Sequence, residues 1–246
     1  MDGQLIKLES LPSKGKTYPK DMEIYVKPLS IKEQMDMDRY GITQAEYYQI
    51  VLDGITIKGN YNVNKLWFYD VQFMDLVRRL YTFDIDEEIE VTDYPCSDRY
   101  CTGTVNYLFT IDQIQYTDFP DDIFGKEFTF SDGLTVTVQP LTILDFITLS
   151  KKYASNGKQI PSSETLLSYF VYCIKEIKDR TFKDEKHRAE FLIEYLGGLT
   201  KYKDQKVLRQ IEDETTISMV PFKAICPECG AEVEVKVTPY STFRQD

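Results

Sequence analysis

Two stretches of the chain alternate apolar and polar residues and then pass, through a Pro-Leu-Ser or Pro-Leu-Thr step, into a helical pattern. They are Ile24–Glu33 and Val136–Asp145, and their prolines lie 112 residues apart. The alternation predicts a strand, and the apolar spacing after it predicts a helix. Ser30-x-x-Glu33 has the sequence of a capping box, and Thr142-x-x-Asp145 is a weaker version of it. Each stretch therefore predicts a strand followed directly by a capped helix.

Two further matches follow in the same order in both halves of the chain. The first is an amphipathic helical pattern with an aspartate and three apolar residues at equal spacing: Asp70, Phe73, Met74 and Val77, and then Asp204, Val207, Leu208 and Ile211. The second is a strand, a cysteine pair, a glycine and another alternating strand: Glu88–Thr92, Cys96, Cys101, Gly103 and Val105–Ile111, and then Phe222–Ile225, Cys226, Cys229, Gly230 and Val233–Val237. Three matches in one order predict an internal duplication. The predicted fold class is α+β, with two related modules, each made of a strand, helices and a strand–Cys turn–strand hairpin.

The remaining apolar periodicity predicts the helices of each module. They are Ile31–Tyr40, Gln44–Leu52 and Tyr69–Thr82 in the first module, and Ile143–Ala154, Ser163–Lys178, Asp184–Leu196 and Asp204–Glu214 in the second. Asp132-Gly133, a strong hairpin dipeptide, predicts a hairpin over Phe128–Val138. The acidic segment 118–122 lies between the modules, so the predicted domains are 1–118 and 119–246. Because no long Pro-, Gly- or Ser-rich linker separates them, we expect the modules to pack together.

Cys226-Pro-Glu-Cys229-Gly230 is the most specific motif in the sequence. Two cysteines separated by two residues and followed by glycine are typical of a zinc knuckle, which supplies two of the four ligands of structural zinc. The duplication points to Cys96 and Cys101 as the other two, at a spacing still common for zinc. We therefore expect Cys96, Cys101, Cys226 and Cys229 to hold one structural Zn²⁺, in a zinc ribbon split by the helices between its knuckles. The alternatives are reduced thiols in turns without a metal, or a disulfide.

The composition narrows the classes of protein to which the chain can belong. With 29 Lys+Arg against 40 Asp+Glu, the net charge is −11, which makes nucleic acid and anionic membranes unfavourable partners. Apolar residues make up 42% of the 246 residues, which is enough for a buried core. The sequence has no run of about 18 apolar residues and no signal-peptide pattern at its start, so we expect no membrane partner. Five cysteines, an odd number, indicate a reducing cytoplasm rather than a disulfide scaffold.

The sequence lacks motifs that carry catalysis. No GxxxxGK[ST], GxGxxG or GxSxG pattern occurs, and the one histidine, His187, lies at the charged start of a predicted helix. The acidic runs 84–88 and 118–122 lack the glycine and ligand spacing of a calcium loop, so we interpret them as solvated turns. Cys173 lies in an apolar helical segment, where we expect it in the core. We therefore predict no catalytic residues and no enzyme activity, since a four-thiolate zinc site also leaves no open position for a reactant.

Aromatic residues are abundant, with 18 Tyr and 14 Phe. Two interpretations stay open: these rings fill the cores of the modules, or some of them form protein interfaces, where large rigid side chains are enriched. The C-terminal segment 238–246 contains Tyr240 and Phe243. It either docks these rings on a neighbour or frays.

The N-terminal part of the sequence resembles a known family. The segment 11–19, LPSKGKTYP, followed by the segment 24–30, IYVKPLS, is similar to the opening of the baseplate protein family of T-even-like contractile-tailed bacteriophages. Members of that family are baseplate hub subunits or hub assembly proteins. The resemblance is best over about residues 8–112 and covers the second half more loosely, through Pro140-Leu-Thr142 and the Cys226/Cys229 turn.

The resemblance implies a non-enzymatic structural or assembly protein of the phage tail. Such a protein acts through contacts with other baseplate and tail proteins, in the virion tail baseplate or in the host cytoplasm during assembly. The family brings no catalytic residues to this sequence. The alternative function is a zinc-ribbon adaptor that binds nucleic acid or a transcription complex, which the net charge of −11 opposes. A hydrolase that uses acidic residues and a metal has the least support.

Overall fold

The structure, a computed structural model, describes residues 5–82, 89–154 and 162–235. This part of the chain is mixed α/β, with seven helices and ten strands in four small antiparallel sheets. The first half contains β1 (Ile6–Lys7), β2 (Glu23–Val26), α1 (Ile31–Met37), α2 (Gln44–Asp53), β3 (Ile55–Lys58), α3 (Phe68–Thr82), β4 (Ile89–Pro95) and β5 (Thr104–Phe109). The second half contains β6 (Glu127–Thr129), β7 (Thr135–Val138), α4 (Ile143–Ala154), α5 (Ser162–Cys173), β8 (Ile174–Ile177), α6 (Glu185–Gly197), α7 (Tyr202–Thr215), β9 (Phe222–Ile225) and β10 (Glu232–Val235). No helix among these residues is long and apolar enough to cross a membrane.

The two halves arrange their elements in the same order. Strands β1, β2 and β3 form one sheet with β2 in its centre, and β6, β7 and β8 form another with β7 in its centre. Helices α1 and α2 connect β2 to β3, as α4 and α5 connect β7 to β8. A long helix and a hairpin complete each half: α3 with β4–β5, and α7 with β9–β10. The second half has one additional helix, α6, between β8 and α7.

Side-chain caps begin the helices where the sequence predicts them. Ser30 and Glu33 form a capping box at the start of α1. Thr142 and Asp145 make the same reciprocal pair before α4, with the Thr142 amide donating to Asp145 over 3.1 Å and the Asp145 amide donating to the Thr142 hydroxyl over 3.2 Å. Each pair satisfies amides that the first helical turn leaves without a partner. The predicted hairpin is confirmed as well, because β6 and β7 pair on either side of Gly133, which has φ of +93°.

The predicted helix Ser163–Lys178 is wrong in its last third. The helix ends at Cys173, and residues 174–177 form strand β8 against β7. Thr137 pairs with Glu176 but Val138 pairs with Ile174, so the pairing register shifts by one residue, as at a β-bulge. The bulge lets Ile174 and Ile177 both be buried at a spacing of three residues, which imitates a helical pattern. The predicted helix Ile31–Tyr40 is also too long, since α1 ends at Met37.

A buried aspartate in each half ties the start of a long helix to the loop before the central strand. Asp70, in the first turn of α3, accepts hydrogen bonds from the Ser13 amide at 2.9 Å and the Ser13 hydroxyl at 2.6 Å. Asp204, in the first turn of α7, accepts them from the Ser131 amide at 2.7 Å and the Ser131 hydroxyl at 2.9 Å. We call each pair a serine–aspartate clamp. Hydrogen bonds to a charged acceptor are stronger than neutral ones, so each clamp fixes its helix against its loop.

The halves are in direct contact through their cores. The core cluster of the first half includes Leu141 and Ile143 from the second half, and Trp67 of the first half is buried in the cluster of the second. Backbone hydrogen bonds also join the halves, among them one from the Phe68 amide to the Leu141 carbonyl at 2.9 Å and one from the Ile143 amide to the Leu66 carbonyl at 2.8 Å. A third cluster forms where α3 meets the two hairpins. The domain boundary at 118/119 stays a prediction.

Some features singled out in the sequence lie outside the described residues. These are the acidic run 84–88 and the C-terminal residues Tyr240 and Phe243. The other acidic run is part of the described structure and forms ion pairs with the loop before β2: Lys14 with Asp118, and Lys16 with Asp121.

Candidate metal centre

The four predicted cysteines lie at the adjacent tips of the two hairpins. Cys96 directly follows β4 and Cys101 comes shortly before β5, while Cys226 directly follows β9 and Cys229 comes shortly before β10. The tips are brought together although 125 or more residues separate the paired cysteines in the chain. The structure therefore places at one point all four residues for which the sequence predicts a shared site.

The spacing of the sulfurs fits a single tetrahedral ion. The Sγ atoms of Cys96 and Cys229 are 3.6 Å apart, those of Cys101 and Cys226 are 3.7 Å apart, and all four lie within 4.8 Å of one another. A tetrahedron with metal–sulfur bonds of about 2.3 Å has sulfur–sulfur edges of about 3.8 Å. A disulfide needs about 2.05 Å, so none of these pairs is one. Four sulfurs without a nitrogen or carboxylate ligand suit zinc.

Backbone amides point at the sulfurs from both hairpin tips. In the first tip, the amide of Asp98 donates to Cys96 Sγ and the amide of Gly103 donates to Cys101 Sγ, each over 3.4 Å. In the second tip, hydrogen bonds from the Cys229 and Glu228 amides lower the pKa of Cys226 to about 7. Such amides stabilise a thiolate, which is the form that binds a metal.

The crowding of the thiols has the opposite effect. The hydrogen bond from the Gly103 amide lowers the pKa of Cys101, but hydrogen bonding to the Cys229 sulfur, burial and the Cys226 sulfur raise it to about 12. Four negative sulfurs at this separation repel one another unless a cation lies between them. The cluster therefore contains amide donors that stabilise thiolates, and a cation between the sulfurs would offset the repulsion among them.

Glycines shape the two turns. Gly230 follows Cys229 with φ of +74°, a left-handed conformation that favours glycine, and its amide donates to the Cys226 carbonyl at 2.9 Å. Gly103 marks the close approach of the tips, because a Cβ atom added there would lie 2.8 Å from the Glu228 side chain. These glycines explain why each cysteine pair is followed by one.

Packing beneath the tips holds the hairpins face to face. The ring of Phe222 on β9 stacks on Tyr107 of β5 with centroids 5.1 Å apart, and it lies 4.8 Å from the ring of Phe109. Leu76 and Leu80 of α3 belong to the same buried cluster as residues of both hairpins. The cluster is therefore covered by the protein on the side of Cys226, which is buried, and open to solvent on the side of Cys229, which is exposed.

The other residues weighed in the sequence lie away from this centre. Cys173 is fully buried in the first-half core, as expected, and burial raises its pKa to about 12. His187 is exposed beside Asp184, which caps α6, and the hydrogen bond that its ring N–H donates to that carboxylate raises the pKa of His187. Neither residue contributes to the four-sulfur cluster.

The sequence analysis did not predict the serine–aspartate clamps. It matches Asp70 with Asp204 but names no partner for either residue. The signal was present, because Ser13-Lys-Gly15 and Ser131-Asp-Gly133 repeat a Ser-x-Gly step ahead of the central strand in each half. A serine that opens a turn commonly bonds through its hydroxyl to the backbone two residues on, as the Ser13 hydroxyl does by accepting from the Gly15 amide at 3.2 Å.

Comparisons with known proteins identify a family whose model matches this chain. A family model described as "T4 bacteriophage base plate protein" matches residues 4–243, which is nearly the whole chain. No solved structure matches the chain.

Among curated proteins the chain is similar to adenylate kinases of Clostridium botulinum, for example those of strain Hall and strain Langeland. The similarity is 26% identity over 103 residues, which is 37% of this chain and 44% of each kinase. The chain thus spans less than half the length of these curated relatives. The sequence also has no GxxxxGK[ST] loop, so we transfer no kinase activity to it.

Proposed function

This chain belongs to the T4 bacteriophage base plate protein family, and from that premise we propose that it is a non-enzymatic hub component or hub assembly factor of the phage tail baseplate. The observation that carries the proposal is the family match over residues 4–243, since it includes both halves and both cysteine hairpins. In this proposal the protein is made in the host cytoplasm and acts through contacts with other baseplate and tail proteins.

We further propose that Cys96, Cys101, Cys226 and Cys229 hold one Zn²⁺. The proposal is supported by sulfur distances of 3.6 and 3.7 Å, by the amides directed at the sulfurs, and by the absence of a disulfide among the described cysteines. Four thiolates fill the coordination sphere, so the ion is structural. It ties the end of the chain to its middle, and its binding free energy adds to the stability of the fold.

The internal duplication is the third part of the proposal. It is supported by the shared order of strands and helices, by the two capped helices after the Pro-Leu step, and by the two serine–aspartate clamps. In this view each ancestral module brought one hairpin with two cysteines. A metal site shared by the two copies makes them one rigid body, which is what a part of a large symmetric assembly needs.

Disrupting the gene in a phage that encodes this chain tests the baseplate role. We expect infected cells to contain heads but no complete baseplates, and plasmid-borne wild-type protein to restore them. Normal tails in electron micrographs of the disrupted phage would contradict the proposal. Mass spectrometry of wild-type virions and of the infected lysate then distinguishes the two proposed roles. A fixed copy number in the virion identifies a hub component, and presence in the lysate alone identifies an assembly factor.

The second candidate function, a zinc-ribbon adaptor for nucleic acid, has the four-cysteine hairpins in its favour and the net charge of −11 against it. An adaptor of this kind binds DNA or RNA with an affinity that falls steeply with salt concentration. We expect no such binding in a titration with double-stranded and single-stranded DNA at low salt. Tight, salt-dependent binding would favour the adaptor instead.

A further inference from the structure

An open groove with a largely apolar lining lies beside helix α3, and its volume is about 450 Å³. Phe73, Val77 and Tyr81, which follow one another at intervals of four residues on one face of α3, are part of its lining. The rest comes mainly from the segments 6–12 and 111–116. A volume of this size is in the range of roughly 300–1,000 Å³ that holds small organic molecules, so the groove has room for two aromatic side chains.

The apolar face of α3 in this groove is a strip about 12 Å long, because a helix rises about 1.5 Å per residue and the strip runs from Phe73 to Tyr81. At one end, the Phe73 ring meets the ring of Tyr116 edge to face, with centroids 5.8 Å apart. At the other end, Tyr81 is 45% exposed. The described residues therefore leave the Tyr81 end of the strip in solvent.

Strand β10, the last described element, ends close to this groove. Its last residue, Val235, pairs with Phe222 at the start of β9. Met219, shortly before Phe222, forms a bridge with Tyr116 of the groove lining. Two strand pairings of about 5 Å each and an extended step of about 10 Å from Met219 to Phe222 place Val235 at most about 20 Å from Tyr116. Val235 also lies in the buried cluster against which Ile111 of the lining packs.

The segment 236–246, which follows Val235 in the sequence, contains two aromatic residues, Tyr240 and Phe243. An extended chain spans about 3.3 Å per residue, so Tyr240 can lie up to about 17 Å and Phe243 up to about 26 Å from Val235. These two reaches bracket the distance from Val235 to the groove. The α-carbons of the two aromatic residues are at most about 10 Å apart, so both rings fit along the strip on α3.

Charge supports a match between this segment and the groove. The two lysines of the lining each form an ion pair with a carboxylate. Two acidic residues of the lining, Glu9 and Asp112, form no ion pair among the described residues. The segment 236–246 has two cations against one acid, and its Arg244 directly follows Phe243. A ring at position 243 in the groove would therefore bring a cation to carboxylates that lack one.

We propose that the segment 236–246 binds across this groove of its own chain, with Tyr240 and Phe243 against the apolar face of α3. The segment that follows the second cysteine hairpin thereby covers the long helix of the first half. This contact is separate from the cysteine cluster and from the packing of α4, and it depends neither on the metal nor on the baseplate role.

A photoreactive residue in the complete 246-residue chain tests this contact. With p-benzoylphenylalanine in place of Phe243, ultraviolet light is expected to join position 243 to the groove lining, and mass spectrometry of the digested protein identifies the attachment site. The reciprocal protein, with p-benzoylphenylalanine in place of Tyr81, is expected to capture the segment 236–246. In an equal mixture of nitrogen-15-labelled and unlabelled chains, each cross-linked product is expected to carry one isotope throughout, because the contact lies within one chain.

Two exposed apolar positions provide matched variants. Tyr81→Lys removes a ring and adds a positive charge at the end of the groove, so it is expected to lose most of the product formed from position 243. Leu108→Lys, at a residue that is 53% exposed and does not line the groove, is expected to keep that product. Circular dichroism checks that both variants are folded. The proposal is overturned if position 243 gives no product with the groove lining, if Tyr81→Lys leaves the product unchanged, or if the product joins chains of different isotope, since the last result assigns the groove to a second copy.

Discussion

The helix after the Pro-Leu step is exposed in the first half of the chain and buried in the second. Both helices are capped in the same way, and both have apolar residues at the first and fifth positions, Ile31 and Met35 in α1 and Ile143 and Ile147 in α4. Their surroundings differ because α4 packs on the first half, whereas α1 contacts α2 and buries Met37 but leaves Ile31 and Met35 exposed. Two halves with the same order of elements thus do not have to meet symmetrically.

The hairpins behave differently from these helices, since both halves contribute equally to the cysteine cluster. Removing the metal should therefore have the largest effect of any change on the joint between the halves. At a zinc concentration of about 1,000 times Kd, binding to the folded state alone stabilises it by about 4 kcal/mol. We expect Cys226→Ser to lose that amount in urea unfolding followed with added zinc.

A matched control for this change exists in the chain. Cys173→Ser makes the same substitution at another buried cysteine, outside the cluster. It is expected to lower stability through the core but to keep the full response to zinc. If Cys226→Ser gains as much stability from zinc as the wild type does, the cluster is not the metal site.

The next largest effect compares the two helices directly. Ile143→Ala opens a cavity at a fully buried position and is expected to cost about 3 kcal/mol. Ile31→Ala changes a 77% exposed residue and is expected to alter the free energy of unfolding by less than about 0.5 kcal/mol in dilute protein. Urea denaturation of the two variants gives both values. Equal losses would mean that α1 is covered within the single chain.

The serine–aspartate clamps allow a finer comparison of the halves. Asp70 also accepts a hydrogen bond from the Tyr18 hydroxyl at 2.7 Å, in addition to those from Ser13. Asp204 accepts its side-chain hydrogen bonds from Ser131 alone among the described residues. Asp70→Asn is therefore expected to cost about 2 kcal/mol and Asp204→Asn about 1 kcal/mol, since each change replaces an acceptor oxygen by a donor.

Urea unfolding of the clamp variants includes Asp213→Asn as a control at an exposed position of α7. That control should stay within about 0.5 kcal/mol of the wild type. A greater loss for Asp204→Asn than for Asp70→Asn would contradict the ranking of the two clamps.

The smallest effect concerns the cap of α1 and its dependence on pH. Burial raises the pKa of Glu33, but hydrogen bonds from Ser30 and Lys27 and the charge of Arg78 together lower it from 4.5 to about 2. A carboxyl group whose pKa is lower in the folded state adds stability above pH 4.5, and this stability is lost as the pH falls toward 2. Glu33→Gln is expected to cost about 1 kcal/mol at pH 7 and less near pH 2. A cost that does not change between these pH values would show that the charge of Glu33 does not contribute.

Local chemistry made part of this structure predictable from the sequence. The capping residues before α1 and α4 and the Asp-Gly hairpin turn depend on neighbours a few residues away, and all three are confirmed. The four cysteines were predicted to come together because the predicted duplication would place their hairpins at the ends of equivalent elements, and the structure brings their sulfurs within 4.8 Å. Whether they bind zinc is a proposal.

Features that depend on distant contacts were not predictable in the same way. Strand β8 forms because it pairs with β7. The register shift in that pairing lets two buried isoleucines lie three residues apart, which gives the sequence of the strand a helical pattern. Strand β1 has two residues, too few for a periodic pattern. The difference between α1 and α4 has only a partial local signal: the first and fifth positions are apolar in both helices, but Phe146 of α4, which stacks on Phe68, is matched by Gln34 in α1.

The number of zinc ions bound by three proteins tests the central claim most directly: the wild type, Cys96→Ser with Cys101→Ser, and Cys226→Ser with Cys229→Ser. Native mass spectrometry of each protein, purified without chelator and with zinc in the medium, counts the ions per chain. A site shared by both hairpins predicts one zinc in the wild type and none in either double variant, although each variant keeps one complete cysteine pair. Retention of one zinc by either double variant, or a folded wild type with none, would contradict the account.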